Sequence, residues 1–229
     1  MSERPTAVAL AGAAGRMGQA TAAAVKGAPD MELVAQIDPL LGAQGIAESL
    51  AGADVLVDFT APDAVLANVK AALAAGVHVV IGTTGFDPQE LERLATDQPA
   101  NVFAAPNFAI GAVLMMRFAA EAARHMAGAE IIELHHEQKL DAPSGTAKRT
   151  AALMRQAAGG EVPIHSVRLP GLVADQEVLL GDLGQTLSIR HVTTSREAFM
   201  PGVLLAIRSV AGLPSSPLIG LEHLLWPQG

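Results

Sequence analysis

The first half of the chain alternates short apolar runs with longer alanine-rich segments. The short runs are typical of β-strands, and apolar residues recur at helical spacing in the alanine-rich segments, as Val65, Val69 and Leu73 do. The predicted strands are Thr6–Leu10, Leu33–Ile37, Val55–Phe59, Val77–Ile81 and Val102–Ala104, and the predicted helices are Arg16–Lys26, Ala61–Ala75 and Pro88–Thr96. This alternation predicts an α/β fold with a Rossmann-like, doubly wound parallel sheet.

The pattern changes in the second half. It predicts a strand at Ile131–His136, a helix at Thr146–Ala157, strands at Ile164–Leu169, Glu177–Leu180 and Thr186–Val192, and a last helix at Gly202–Val210. The three later strands are spaced as in an antiparallel meander. We therefore predict a Rossmann-like domain from residues 1–107 and 197–229, and a smaller α+β domain with a mostly antiparallel sheet from residues 108–196.

Composition narrows the classes of function. Half of the 229 residues are hydrophobic, which suits a buried core, and the absence of cysteine excludes thiolate metal sites and cysteine nucleophiles. A net charge of −8 argues against a nucleic-acid partner. No apolar run is long enough to cross a membrane, and no targeting signal opens the chain, so we expect a cytoplasmic location.

A glycine-rich turn follows the first predicted strand and opens a helix. Its residues are Gly12, Ala13, Ala14, Gly15, Arg16 and Met17, and Gly18 completes the spacing GxxGxxG. Such glycines let the backbone approach a pyrophosphate at the positive end of the helix. The commoner spacing is GxGxxG, and a glycine-alanine turn can also serve packing alone.

Asp38 ends the next strand, where dinucleotide-binding proteins carry the acid that binds the adenosine ribose. Taken alone, it could be a turn-forming residue before Pro39. Two later turns also follow predicted parallel strands, at the edge where ligands bind, although plain turn chemistry would explain them too. Their residues are Gly82, Thr83 and Thr84 in one, and Ala105, Pro106, Asn107 and Phe108 in the other. Together these features predict a site for NADH or NADPH.

A dense polar cluster lies between Glu133 and Ala147. Its candidate site residues are His135, His136, Lys139, Ser144, Gly145 and Thr146. Imidazole transfers protons near neutral pH, lysine can bind a carboxylate, and a helix start offers N–H groups to an anion. A metal site is disfavoured because HxxxH spacing is absent, and Ser144 could be a simple N-cap. Ser144 also lacks the GxSxG sequence that surrounds a nucleophilic serine.

At these residues the chain resembles the dihydrodipicolinate (4-hydroxy-tetrahydrodipicolinate) reductase family. The family pattern E-x-H-H-x-x-K-x-D-x-P-S-G-T-A is met at every fixed position from Glu133 to Ala147. The resemblance extends to the segments AGAAGRMG, GTTG, APNF and HVTTSR, and so spans nearly the whole chain.

The resemblance implies reduction of a small dicarboxylate, 4-hydroxy-tetrahydrodipicolinate, by NADH or NADPH in diaminopimelate and lysine synthesis. It implies that His135 is the general acid with Lys139 as its partner, and that the second domain forms a homotetramer. It assigns substrate carboxylates to His136, Lys139, Ser144, Gly145 and Thr146. It assigns the cofactor to Gly12–Met17, Asp38, Gly82, Thr83, Thr84 and Ala105–Phe108, and it implies no metal.

Departures from the family pattern bear on the cofactor. Pro39 follows Asp38 where some members have an arginine for a 2′-phosphate, and Asp38 would repel that phosphate, although Arg16 could partly compensate. We therefore predict use of NADH with NADPH tolerated. Gln176 and Ala174 stand where histidine and glycine are usual. Two alternatives stay open, namely another two-domain NAD(P)-dependent dehydrogenase of a small amino or oxo acid, and a non-catalytic NAD(H)-sensing module.

Overall fold

The computed structural model describes residues 4–42 and 45–227, which form two compact units. The first unit comprises the described residues up to Phe108 together with those from Phe199 onward, and the second is Ala109–Ala198. The boundaries predicted from the sequence, after residue 107 and before residue 197, lie beside these positions.

The first unit is built on a six-stranded parallel sheet. Its strands are β1 (Thr6–Ala11), β2 (Met31–Ile37), β3 (Val55–Asp58), β4 (His78–Ile81), β5 (Val102–Ala104) and β10 (Leu218–Ile219). They lie in the order β10-β5-β4-β3-β1-β2. Its helices are α1 (Arg16–Gly27), α2 (Ile46–Ser49), α3 (Pro62–Ala74), α4 (Pro88–Ala95), α7 (Met200–Ser209) and α8 (Glu222–Leu225), with a 3-10 turn at Pro39–Leu41.

Both faces of this sheet are covered, which explains why its strands are continuous apolar runs rather than alternating ones. Leu56 in β3 packs with Val65 and Val69 of α3 on one face, and all three are fully buried. On the other face α7 packs against β4 and α1, burying Val203. Each such side chain contributes about 1.5–3 kcal/mol to folding by leaving water.

The predicted Rossmann-like fold is confirmed, and every strand and helix predicted for the first unit is present. Among the α-helices and strands of the described residues in this unit, α2, β10 and α8 were not predicted. Each has four residues or fewer, too few for a hydrophobic period to be recognised in the sequence.

The second unit contains a four-stranded sheet with two helices on one face. Its elements are α5 (Ile110–Ala123), β6 (Gly128–His135), α6 (Gly145–Ala158), β7 (Ile164–Arg168), β8 (Ala174–Asp182) and β9 (Gln185–His191), with a 3-10 turn at Arg196–Phe199 next to the boundary. The strand order is β7-β6-β8-β9. Ile131 of β6, Val178 of β8 and Met154 of α6 are fully buried in its core.

The prediction of a meander through the three late strands was wrong for the first of them. β7 pairs with β6 in parallel and does not neighbour β8, whereas β6–β8 and β8–β9 are antiparallel. The reason is α6, which carries the chain from the end of β6 back to the level of its first residues. β7 therefore runs in the same direction as β6. The sheet is mostly antiparallel, as predicted, but it contains one βαβ unit.

One long helix, α5, was not predicted. Its sequence is apolar almost throughout and lacks the polar stripe of a surface helix, because much of it is buried, including Val113, Met116 and Ala119. Within residues 4–42 and 45–227, none of the helices has the length and hydropathy needed to cross a bilayer. The same residues contain no group of three His, Asp or Glu side chains placed to hold a metal ion.

Candidate active site

The glycine-rich turn joins β1 to α1 in the first unit. Gly12 has a φ of 76°, and a Cβ at this position would lie 2.4 Å from the backbone oxygen of Phe59. Any side chain is therefore excluded on two counts, strain and collision. Gly15 is the N-cap of α1, so the N–H groups of Arg16 and Met17 are in the first helical turn, where no earlier carbonyl of the helix accepts them. They can point to an anion.

Asp38 lies at the end of β2 and ties that strand to the glycine turn. One of its carboxylate oxygens accepts the N–H of Ala14 at 3.1 Å, and the other accepts that of Leu40 at 2.9 Å. Asp38, Gly12 and Gly15 line a cavity of about 570 Å³, a volume within the usual range of about 300–1,000 Å³ for ligand sites. The turn, the acid and the cavity therefore fit a nicotinamide dinucleotide.

Sequence reasoning missed the residues that complete this cavity. Phe59, Thr60 and Asn68 line it as well, and the last two bind Asp58, a fully buried carboxylate at the end of β3. Asp58 accepts hydrogen bonds from the N–H and hydroxyl of Thr60 at 2.9 and 2.7 Å, and from the amide of Asn68 at 2.8 Å. The sequence shows an aspartate at the end of an apolar strand, but it does not show that Asn68 of α3 binds this carboxylate.

The turns after β4 and β5 lie at the same edge of the sheet as the glycine turn. The Thr83 hydroxyl donates to the Thr60 carbonyl at 3.2 Å, and a Cβ on Gly82 would lie 2.0 Å from the Phe59 ring. The Ala105 N–H donates to Ile81, and the Phe108 ring meets the Phe59 ring edge-on at 6.2 Å. Among the described residues that line the 570 Å³ cavity, none belongs to Gly82–Thr84 or to Ala105–Phe108.

In the second unit, the predicted polar cluster is organised by Glu133. This carboxylate is fully buried and receives hydrogen bonds from Arg168 Nη2 at 2.8 Å to Oε1 and from Arg168 Nη1 at 2.9 Å to Oε2. Oε1 also accepts the Ser144 N–H at 3.3 Å, and Oε2 contacts His135 Nδ1. Burial by itself would raise the pKa of Glu133, but the hydrogen bonds from Arg168, Ser166 and His135 outweigh it and lower the pKa.

His135 is the last residue of β6, and its side chain is 13% exposed. Burial lowers its pKa below the ordinary value, because the charged imidazolium loses water. The neighbouring Glu133 carboxylate raises the pKa, whereas the charges of Lys139 and Arg168 lower it. The net result is a lowered pKa, so the imidazole is mostly neutral at pH 7 before an anion binds.

Lys139 lies in the loop after β6. Its Nζ is 2.7 Å from Oδ1 of the exposed Asp141, and its N–H donates to the carbonyl of His136 at 3.1 Å. This pairing lowers the pKa of Asp141, since the ammonium favours the ionised carboxylate. His136 is half-buried and lies beyond the end of β6. The loop thus carries two candidate ligand groups for a carboxylate, His136 and Lys139.

Ser144 caps α6, with its hydroxyl accepting the Ala147 N–H at 3.2 Å, as its alternative reading as an N-cap predicted. Gly145 and Thr146 form the first turn, whose N–H groups can hold an anion. This turn is tied to the sheet, because the Thr150 hydroxyl donates to the Thr146 carbonyl at 2.8 Å and accepts the Gln176 amide at 2.8 Å.

Comparison with known proteins now identifies the family. The model described as the N-terminus of dihydrodipicolinate reductase matches residues 6–108, and that of its C-terminus matches residues 111–225. The chain is 46% identical to the 4-hydroxy-tetrahydrodipicolinate reductase of Nocardia farcinica and 48% identical to that of Cutibacterium acnes. Each alignment covers 95% of this chain and 98% of the relative. This chain belongs to the dihydrodipicolinate reductase family.

A solved structure of the same family agrees. The dipicolinate-bound dihydrodipicolinate reductase from Paenisporosarcina sp. TG-14 has a TM-score of 0.84 at 37% identity, and the match covers 96% of this chain and 99% of that chain. The resemblance stated from the sequence is confirmed, and the chain is a pyridine-nucleotide-dependent reductase of this family.

The site of this reductase differs from the predicted one mainly by Arg168. The structure places His135 and the Ser144 N–H on Glu133, and an arginine from β7 binds both Glu133 and the backbone carbonyl of Lys139. The sequence pattern included Glu133 without a role and did not include Arg168. No local signal could reveal this arginine, because only the pairing of β6 with β7 brings it to Glu133.

Proposed function

We propose that this chain reduces 4-hydroxy-tetrahydrodipicolinate to tetrahydrodipicolinate with NADH or NADPH, with His135 as proton donor and Lys139 as its partner. The observation that carries the proposal is a cluster in which His135, the N–H of Ser144 at the start of α6, and Arg168 share one buried carboxylate, Glu133, while Arg168 also binds the backbone carbonyl of Lys139. The names of the relatives point to the same reaction, and dipicolinate in the related structure is a planar dicarboxylate of the same size class.

The substrate carries two carboxylates, and the second unit offers donors for both. We assign one set to the N–H groups of Gly145 and Thr146 with the capped helix behind them, and the other to Lys139 and His136 in the loop. The helix end and the ammonium each favour a bound anion. Lys139 would then exchange its exposed partner Asp141 for the substrate.

When bound, the reduced nicotinamide supplies a hydride to the ring, and over the whole reaction the 4-hydroxyl of the substrate leaves as water. The ring must also receive a proton, which we assign to His135 Nε2, because its Nδ1 faces Glu133. Two carboxylates placed beside His135 raise its pKa, since opposite charge favours the imidazolium. The enzyme therefore gains the proton as it binds the dianion, and it holds that proton away from water until the hydride arrives.

For the cofactor, we propose that Asp38 accepts hydrogen bonds from the adenosine ribose and that NADH is used with NADPH tolerated. Its carboxylate lines the cavity and would face a 2′-phosphate with like charge. Arg16, exposed at the first position of α1, is the cation on the same turn. The glycine turn, the Thr83 turn and the segment Ala105–Phe108 are the remaining elements that we assign to the cofactor.

We also propose a homotetramer formed through the sheet of the second unit. Along β6 and β8, Ile132 and Leu179 alternate with core residues and so point away from α5 and α6. Leu179 is 37% exposed, on a strand whose neighbour β9 is largely exposed as well. Light scattering on Leu179→Lys beside the unaltered protein tests this, and a monomeric unaltered protein would contradict it.

The reaction is tested by the initial rate of nicotinamide oxidation. The ring substrate is made in situ from pyruvate and aspartate semialdehyde, and NADH and NADPH are supplied in parallel. We expect rapid, substrate-dependent loss of the reduced cofactor. A folded protein that binds NADH without oxidising it would contradict the proposal and favour the sensing module.

The roles of the two donors are tested by His135→Ala and Lys139→Ala. Each should lower turnover by roughly two or more orders of magnitude, because a positioned proton donor contributes about 10²–10⁴-fold. The affinity for NADH should not change. His125→Ala, at an exposed histidine of the same unit, is the matched control and should keep full turnover.

A further inference from the structure

We propose that Glu133, held by Arg168, positions His135 by keeping a proton on its Nδ1 nitrogen, so that only Nε2 serves the substrate. This inference rests on the proposed function and adds two positioning residues to it. Neither residue touches the reacting atoms in this proposal. They act through His135 and through the loop that carries Lys139.

The first argument is the hydrogen-bond count at Glu133. Arg168 donates to both oxygens, and the Ser144 N–H donates to one of them, so the carboxylate is ionised and acts only as an acceptor. His135 Nδ1 contacts the same carboxylate. Since an ionised carboxylate has no proton to give, Nδ1 must be the donor. The neutral imidazole therefore leaves the lone pair of Nε2 free, and the imidazolium adds one proton there.

The second argument is what else Arg168 contacts. Besides Glu133, it donates to the carbonyls of Asp141 at 2.7 Å and Lys139 at 3.4 Å. One planar guanidinium therefore fixes both the carboxylate that orients His135 and the backbone that carries Lys139. The two proposed proton donors are set by a single side chain, which a lysine could not replace because it lacks the fork of donors.

The third argument is that stability does not explain the pair. A buried ion pair can often be replaced by well-packed apolar residues with no loss of stability, so its presence does not follow from folding alone. Here the carboxylate is fully buried and the arginine only 19% exposed, and the carboxylate is bonded to His135 and to the Ser144 N–H of the site. A role in fixing which nitrogen of His135 carries the proton accounts for the position of the ion pair beside this histidine.

The decisive variant is Glu133→Gln, which keeps the shape and removes the charge. The amide can turn its NH₂ toward Nδ1, which then becomes an acceptor and moves the neutral imidazole to the Nε2–H form. The matched control is Glu121→Gln, because Glu121 also contacts an arginine and a histidine, Arg124 and His125, but at an exposed site. Arg168→Lys keeps the positive charge and tests whether the several N–H donors of the guanidinium are needed.

Two measurements read the result. Two-dimensional ¹⁵N–¹H spectra of the ring nitrogens, at a pH of about 8 where imidazole is neutral, report which nitrogen of His135 carries the proton, with His135→Ala used for assignment. Kinetics report kcat and KM. We expect Nδ1–H in the unaltered protein and in Glu121→Gln, and loss of that form in Glu133→Gln. We expect kcat to fall roughly 10–100-fold in Glu133→Gln, as for other partners that orient a functional histidine.

In Arg168→Lys, we expect a lower kcat together with a raised KM for the ring substrate, because the Lys139 loop loses its anchor, and an unchanged KM for NADH. Nε2–H in the free, unaltered protein would overturn the proposal even if a variant fails to fold. So would full turnover of folded Glu133→Gln. The spectra need no substrate, and turnover of the unaltered protein is read separately, so failure of the reaction itself is distinguishable from failure of this inference.

Discussion

The two units hold their functional groups in different ways. In the first unit, the glycine turn and its cavity depend on backbone geometry, with Gly12 in a conformation and at a distance that no side chain allows. In the second, Glu133, Arg168 and His135 depend on charge, with one buried carboxylate accepting hydrogen bonds from several donors. Both sites nevertheless lie at the carboxyl ends of parallel strands, β1 and β3 in one unit and β6 and β7 in the other.

This difference teaches what each site tolerates. A site made from backbone N–H groups does not titrate and is lost only when the backbone is displaced. A site made from coupled charges responds to pH and to single-atom changes of side chains. The two units should therefore fail under different treatments.

The largest expected effect is that of pH on the second unit. Burial holds the pKa of His135 below its usual value, with Lys139 and Arg168 lowering it and Glu133 raising it. Because the acid form is required and kcat/KM reports the free enzyme, kcat/KM should fall about tenfold per pH unit above that pKa. From pH 7 to 9 the fall is about 100-fold, while the Kd of NADH stays constant. A flat kcat/KM profile would contradict the assignment of His135.

The next effect breaks the first unit and leaves the second intact. Gly12→Ala places a Cβ 2.4 Å from a backbone oxygen at a positive φ. Backbone strain and overpacking should each cost about 1–3 kcal/mol. We expect this cost to lower the free energy of unfolding or to weaken the binding of NADH. Denaturant unfolding and NADH titration measure this. Gly27→Ala is the control, since its Cβ would meet no atom within 4 Å, and it should be neutral or slightly stabilising.

A smaller effect sharpens the charge component of the first unit. Asp38→Asn keeps the size of the side chain and an acceptor for the Ala14 N–H, but removes the negative charge that opposes a 2′-phosphate. The ratio of kcat/KM for NADPH to that for NADH should rise about tenfold, which corresponds to about 1.4 kcal/mol. Parallel initial rates with the two cofactors measure it. An unchanged ratio would remove Asp38 from the account of cofactor preference.

The smallest effect is expected for Gln176→Leu, which removes the hydrogen bond between β8 and Thr150 of α6. Gln176 is buried, its amide donates to Thr150, and its Oε1 has no hydrogen-bond partner among the described residues. Gln176→Leu removes that unpaired acceptor together with one hydrogen bond, so its free energy of unfolding should change by less than about 1 kcal/mol. Thr150→Val strands the Gln176 amide and should cost about 1–3 kcal/mol. If thermal unfolding showed Gln176→Leu to be more destabilising than Thr150→Val, this account of the hydrogen bond between Gln176 and Thr150 would be wrong.

How much the sequence predicts also differs between the units. The first was predicted nearly whole, because its strands, its helices and Gly12 are local signals, and Asp38 stands at a fixed distance along the chain. Asp58 was missed because its hydrogen bonds with Asn68 of α3 and Thr83 after β4 form only once these elements pack beside the end of β3.

In the second unit, the local pattern from Glu133 to Ala147 identified His135, Lys139 and Ser144, and the structure joins them. It could not identify Arg168, because spacing along the chain does not determine which strands pair. The same ambiguity made the meander prediction wrong for β7. Helix α5 was missed because its exposed face carries Gly111 and Phe118 beside Arg117 and Glu121, so no continuous polar stripe marks its period.

The ion pair between Glu133 and Arg168 also has a consequence for how the chain finds its fold. His135 lies opposite Arg168, and Glu133 opposite Ser166, in the parallel pairing of β6 with β7. A shift of one residue would turn the side chains of one strand to the other face and separate the two charges. A buried charge left alone costs about 3–5 kcal/mol, so misregistered pairings are heavily penalised. In these two strands, the alignment that permits chemistry is also the one that the folding chain is driven to select.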